Sequence, residues 1–267
     1  MSILFSGDFH ANARGELDLI TKDSLIDKYG QKIYDSINYH IILGDGGFMW
    51  QNNEEKDKHN YKILGKRSFP VLCVLGNHEP IYGMKNVPEE DIGLGETVYK
   101  IKAKPFVAYL KRGKVYVIDG IKFLVLGGAL SIDKNRRIPN KSWWENEYWD
   151  EREKEYLYKL LETENSFDCV ISHIGPHHIN QKLFLLGGAS MAFLSHPKFK
   201  DEVAFLNDEI HKSIKFKEWW SGHWHEDKYH YNKSTKRKYQ YLYRTTKILN
   251  KTDGKLAVYN EYGKAKR

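Results

Sequence analysis

The chain sets short apolar runs against polar, glycine-marked breaks. Ser2–Ser6, with Ile-Leu-Phe at its centre, stops at Gly7-Asp8-Phe9-His10. His40–Leu43 stops at Gly44-Asp45-Gly46-Gly47, and Val71–Leu75 stops at Gly76-Asn77-His78-Glu79. Runs this short, made of Ile, Leu, Val and Phe, predict buried strands. Between the first two the period changes: over Glu16–Ser36 and on to the next residue, Ile26, Tyr29, Ile33 and Ile37 recur at three or four residues, a crossover helix with Gly30 as a point of division. Gln51–Lys66 is polar, a helix or an exposed loop. Strand, helix, strand, helix, strand is the order of an α/β layered sheet.

Downstream, Ile81–Lys104 is mixed and glycine-rich, a loop over the sheet edge with a short strand near Val98–Ile101. Lys114–Asp119 and Ile121–Leu126 flank Asp119-Gly120 as a hairpin that begins a second sheet. After Gly127-Gly128-Ala129 comes a loop, Ser131–Trp149. Asp150 and Glu153 then have capping-box spacing ahead of the stripe Tyr156, Leu157, Leu160, Leu161. Asp168–Ser172 is a strand ending at His173, and Lys217–Ser221 leads into Gly222-His223-Trp224-His225. Within His177–Ile214 the pattern predicts a helix over Lys200–Ile214 and an insert, 177–214, that covers a cleft. Tyr239–Thr245 and Lys255–Tyr259 read as an antiparallel hairpin completing the second sheet. With no linker rich in Pro, Gly or Ser, residues 1–267 are expected to form a single domain.

Composition narrows the class. Of 267 residues, 41% are hydrophobic and 14% aromatic, with 7 Trp and 18 Tyr, which supplies a packed core and excludes a disordered chain. Lysine and arginine number 42 against 35 acidic residues, a formal charge of +7 that favours anionic partners and leaves nucleic acid open as one. Cys73 and Cys169 each sit inside an apolar run, as buried thiols of a reducing compartment do. No apolar run approaches the roughly 18 residues of a membrane span, and the first residues lack the basic region of a signal peptide. A cytoplasmic protein with no membrane partner is expected.

The strand ends carry the chemistry. In chain order they present Asp8 and His10, Asp45, Asn77 and His78, His173, then His223 and His225. Any one of these has an ordinary explanation as a turn or a hydrogen-bonded loop. As an ordered set at successive strand ends, carboxylate, amide and imidazole donors without thiolate suit first-row divalent metals. The set exceeds what one ion with open positions needs and suits two, with Asp45 as the best candidate for a shared carboxylate.

Together, Gly7-Asp8-Phe9-His10, Gly44-Asp45, Gly76-Asn77-His78-Glu79, His173 and Gly222-His223-Trp224-His225 resemble the calcineurin-like metallophosphoesterase superfamily. The resemblance covers residues 7–225. It implies a four-layer αββα sandwich of two mixed β-sheets flanked by helices, with a dinuclear site at the sheet edges. It also implies that Asp8, His10 and His225 bind one metal, that Asn77, His173 and His223 bind the other, and that Asp45 bridges them. The two divalent ions are manganese first, with iron, zinc, nickel or cobalt as alternatives. The chemistry implied is hydrolysis of a phosphate ester, a metal-bound hydroxide attacking phosphorus in line while His78 assists the leaving group.

Two positions depart from the pattern. Gly46-Gly47-Phe48-Met49-Trp50 lacks the Asp-Arg pair of the phosphoprotein phosphatase branch, which weakens a serine/threonine phosphatase reading. Glu79 replaces the aspartate that many members carry, leaving open whether it orients His78. Arg14, Arg136 and Arg137 are candidates to bind the substrate's anionic group. Trp143, Trp144 and Trp149 are expected to pack the core or a lid, and Lys233–Lys238 to be a solvated turn. Two alternatives remain: a phosphodiesterase or nuclease acting on nucleotides or nucleic acid, and a non-catalytic, metal-stabilised binding scaffold.

Overall fold

The computed structural model describes residues 1–10, 20–48, 69–80, 87–101, 106–184, 200–259 and 265–266. The first strand, β1 (Ser2–Ser6), lies in the interior of a nine-stranded sheet. On one side it pairs in parallel with β2 (Ile37–Ile42), followed by β3 (Val71–Cys73) and β6 (Val107–Leu110), all parallel. A hairpin of β4 (Glu89–Asp91) and β5 (Thr97–Ile101) closes that edge. On its other side β1 pairs antiparallel with β13 (Lys247–Thr252), which is followed by β14 (Lys255–Tyr259) and β15 (Ala265–Lys266).

The second sheet has six strands. The hairpin β7 (Lys114–Ile118) and β8 (Ile121–Val125) leads to three further parallel strands, β9 (Cys169–Ile171), β10 (Glu218–Ser221) and β12 (Arg237–Tyr241). An antiparallel β11 (Lys228–Asn232) forms its edge.

Alternation of side chains along each strand builds the layers. Ile3 and Phe5 point between the sheets, where Ile41, Leu72 and Val74 meet Phe123, Ile171 and Trp220. The Phe5 and Trp220 rings stack there, their centroids 4.4 Å apart. Leu4 points the other way, with Ile248, onto Leu25, Tyr29 and Tyr34. Those residues belong to α1 (Lys22–Tyr29) and α2 (Gln31–Asp35), which Gly30 divides at φ 83°. On the far face of the smaller sheet, Leu124, Val170 and Trp219 pack against Leu157 and Leu161 of α3 (Glu151–Thr163) and Ile210 of α5 (Glu202–Ser213). This is the αββα sandwich of two mixed sheets that the sequence predicted.

Local signals explain the helix starts. The Asp150 carboxylate accepts from Glu153 N at 2.8 Å and Glu153 Oε2 accepts from Asp150 N at 3.0 Å, a complete capping box. Asp201 caps α5 through Val203 N and Ala204 N, and its other oxygen accepts from Leu130 N at 2.5 Å, tying the helix to the segment after β8.

Some expectations need correction. Lys255–Tyr259 does not complete the second sheet: it pairs with β13 in the larger one, and the antiparallel partner of Tyr239–Tyr241 is β11. The Ile81–Lys104 stretch, where described, is a hairpin rather than a loop with one strand. Of the 177–214 insert, α4 (His177–Phe184) and α5 pack on the outer face of the smaller sheet, through Ile179, Val203 and Ile210. Gln51–Lys66 lies outside the described residues. Cys73 and Cys169 are free and buried. Among the described residues no helix is long and apolar enough to cross a membrane.

Candidate metal centre

Parallel strands bring their carboxyl ends to one edge, and here both sheets do so side by side. Gly128 N, beyond β8, donates to Leu75 O, beyond β3, at 2.8 Å. His173 Nδ1, beyond β9, lies 2.8 Å from Leu43 O, beyond β2. The loops that follow can therefore meet.

They do. His225 Nε2 stands 3.2 Å from Asp8 Oδ2 and 2.8 Å from His10 Nε2. His173 Nε2 stands 3.4 Å from Asp45 Oδ2, 3.0 Å from Asn77 Oδ1 and 3.3 Å from His223 Nδ1. His10 Nε2 bridges the groups, 3.9 Å from Asp8 Oδ2 and 3.8 Å from Asp45 Oδ2. All seven residues expected as ligands thus converge, from positions as far apart as 8 and 225. Among the described residues, three trios have donor atoms close enough to hold one ion: Asp8, His10 and His225; His10, Asp45 and His78; and Asp8, Asp45 and His173.

Backbone conformation is spent on this convergence. His10, Asp45, His223 and His225 have φ of 44°, 48°, 66° and 53°, so the site holds four of the eight non-glycine residues with positive φ among those described. Such left-handed residues concentrate at functional sites because the surrounding structure must hold them there. Gly76 and Gly222 are needed for a different reason. A Cβ at Gly76 would collide with the Asp45 carboxylate, and one at Gly222 with that of Asp8.

Glu79 does not orient His78. Its carboxylate is buried and accepts backbone N–H groups from Asp45 at 3.2 Å, Gly46 at 2.8 Å and Gly76 at 2.7 Å. It clamps the β2 and β3 loops together. His78 is placed instead by its own backbone N–H, which donates to Asp45 Oδ1 at 3.0 Å, and by Arg137. The Arg137 Nη2 and Nη1 atoms lie 2.8 and 3.1 Å from the two ring nitrogens of His78, and Nη2 also donates to Asp133 at 2.7 Å. Arg136 beside it is exposed, and Arg14 lies outside the described residues. Trp149 and Trp144 are buried, the former donating Nε1–H to Gly127 O at 2.7 Å, a packing role.

The electrostatics follow from two buried carboxylates. Burial by itself would raise Asp8 and Asp45, but neighbouring histidines, His173 foremost, reverse this and hold both below the usual carboxylate range. Burial likewise opposes charge on His173, yet Asp45 and Asp8 carry its pKa up to about 10. Burial takes His78 down to about 4, Asp45 opposing and Arg137 reinforcing. Burial and the Asp45 charge raise Glu79 to about 7.

The donor set fits a divalent cation. Two carboxylates with 0% and 2% exposure meet no lysine or arginine among the described residues; imidazoles surround them, and they accept the backbone N–H groups of His223 and His78. Oxygen and nitrogen donors without thiolate are the ligands of manganese, iron, zinc and their neighbours. Ser131 escaped the sequence reading. It is buried after β8, and its hydroxyl accepts from Asn77 Nδ2 at 3.0 Å. The glycine pair Gly127-Gly128 at a strand end, like the single glycines before Asp8 and Asn77, was the available signal.

A sequence model described as calcineurin-like phosphoesterase matches residues 1–227. Among solved structures, a dimetal phosphatase from Danio rerio is similar at TM-score 0.50 and 12% identity, over 98% of this chain and 96% of that one. A phosphopantetheinyl hydrolase from Mycobacterium tuberculosis gives TM-score 0.48 and 12% identity, over 91% and 90%. At such identity the likeness concerns the fold. No curated protein matches the chain.

Proposed function

Because the chain belongs to the calcineurin-like phosphoesterase family, we propose that it hydrolyses phosphate esters at a dinuclear metal centre. The observation that carries this is the convergence of carboxylate, imidazole and amide donors from both sheets on buried Asp8 and Asp45. Asp8, His10 and His225 would hold one ion, Asn77, His173 and His223 the other, and Asp45 both, with manganese the first choice of metal. A pair of divalent ions supplies Lewis acidity toward phosphoryl oxygens and makes water a nucleophile at neutral pH.

The protein's own groups do the rest. His78, partly open to solvent with its Nε2 3.8 Å from Asp45 Oδ2 and 2.8 Å from Arg137 Nη2, would donate to the leaving oxygen once that guanidinium turns to the substrate. Arg137, its fork held by Asp133, would in this reading donate to a non-bridging phosphoryl oxygen of the substrate. Residues 1–267 act as one domain in this reading, since β13, beyond the last ligand, pairs with β1. The setting is cytoplasmic, in keeping with two unpaired buried thiols.

A small phosphate ester is favoured over nucleic acid. The basic turn before β12 lies at the sheet edge opposite the centre, because β12 runs parallel to β10 and the His223 loop follows the carboxyl end of β10. The formal charge of +7 keeps a diesterase as the second reading.

The test is hydrolysis of p-nitrophenyl phosphate and bis(p-nitrophenyl) phosphate by protein loaded with Mn, Co, Ni or Zn, alongside cation stoichiometry. Two ions per chain and monoester turnover are expected. Faster diester turnover would move the reading to the diesterase. Cation binding without hydrolysis across a broad ester panel would leave only a scaffold.

A further inference from the structure

An amide ligand has a problem that carboxylates and imidazoles lack: its oxygen binds a cation and its NH2 group does not, yet the two ends are nearly the same shape. Something must decide which end faces the ion. Here the Asn77 side chain has Oδ1 3.0 Å from His173 Nε2, within the cluster of donors, and Nδ2 turned away to Ser131 Oγ at 3.0 Å. A hydroxyl can accept from an NH2 group, and here Ser131 Oγ is the acceptor that the amide nitrogen finds on the side away from the cluster.

Ser131 is buried beside the cluster, and Asn77 Nδ2 is the donor aimed at its Oγ. We infer that Ser131 is a positioning residue that selects the oxygen-inward orientation of Asn77 for the cation. This rests on Asn77 being a ligand, as proposed above.

Outer groups that orient metal ligands typically change affinity by about 10–100-fold. Ser131→Ala removes the acceptor and leaves the amide free to turn, so calorimetric titration with Mn should show one of two ions bound about 10–100-fold more weakly. Ser131→Thr keeps the hydroxyl and should restore affinity, which a requirement for a small buried side chain would not predict. In an Asn77→Ala background there is no amide to orient, so Ser131→Ala should change nothing further for the remaining ion. Unchanged affinity in Ser131→Ala, or an equal further loss in the Asn77→Ala background, overturns the inference. Wild-type protein that binds no Mn at all would instead remove the proposed centre, and the two failures are told apart in the same titration.

Discussion

Glu79 offers the sharpest test of how the site is built. Its carboxylate receives three buried backbone N–H groups, from Asp45, Gly46 and Gly76, across a sequence separation of 34 and 33 residues for the first two. In Glu79→Ala those donors lose their acceptor, at about 1–3 kcal/mol each when left unsatisfied. Water entering the space and relief of repulsion from Asp45 offset part of that, leaving about 2–4 kcal/mol. Glu79→Gln is isosteric but turns an NH2 group toward at least one donor, for about 1–3 kcal/mol. Urea unfolding of cation-free protein, followed by the fluorescence of its 7 tryptophans, reads both. The cost should also depend on pH in a set direction. With a pKa raised to about 7, Glu79 binds protons in the folded state that the unfolded chain has lost, so its contribution falls as pH rises through 7. Gln cannot ionise, so the Gln variant should lie closer to wild type at pH 8 than at pH 5. Loss below about 0.5 kcal/mol in Glu79→Ala, with cation affinity intact, would refute the clamp.

Other outcomes follow from the same geometry. Gly222→Ala forces a methyl group against the Asp8 carboxylate, so cation binding should fall at least tenfold while far-UV circular dichroism stays native; unchanged binding would contradict the close approach. His78→Gln should keep both ions and lose about 100-fold in turnover, and parallel loss of cation and rate would make His78 a ligand instead. Arg137→Lys breaks the two-pronged contact with His78 and Asp133, and should raise KM for a monoester more than for a diester, whose charge is lower. Protons and cations compete at His173, raised to about 10, so Mn binding at pH 7 should release about one proton and tighten as pH rises. Calorimetry in buffers of different ionisation enthalpy measures that release. In cation-free protein the same shift is a stabilisation present below pH 6.5 and lost as pH climbs through about 10.

What the sequence made legible was what short range encodes. An apolar run ending at glycine and a polar donor is visible within ten residues, and every such segment delivered its donors to the shared edge. The capping box at Asp150 and the division at Gly30 are local in the same sense. What it hid was pairing. Lys255–Tyr259 has the pattern of a half-buried strand, but nothing in that pattern says which sheet takes it. Glu89–Asp91 is a strand of three acidic residues on a sheet edge, where propensity argues against it and partnership with β5 decides. The sequence leaves open whether Glu79 orients the adjacent His78, whereas two of its three backbone partners, Asp45 and Gly46, lie on the preceding loop.

The pairing of β13 with β1 has a bearing on how the chain is made. Ser2 to Phe5 are aligned with Asn250 to Lys247, so one flank of an interior strand stays open until residues 247–250 have left the ribosome. Until then β1 presents a bare row of amides and carbonyls, a template for pairing with other nascent chains. Cutting the message short after the codon for Thr246 would leave every candidate ligand in place, yet yield a product that clumps during synthesis.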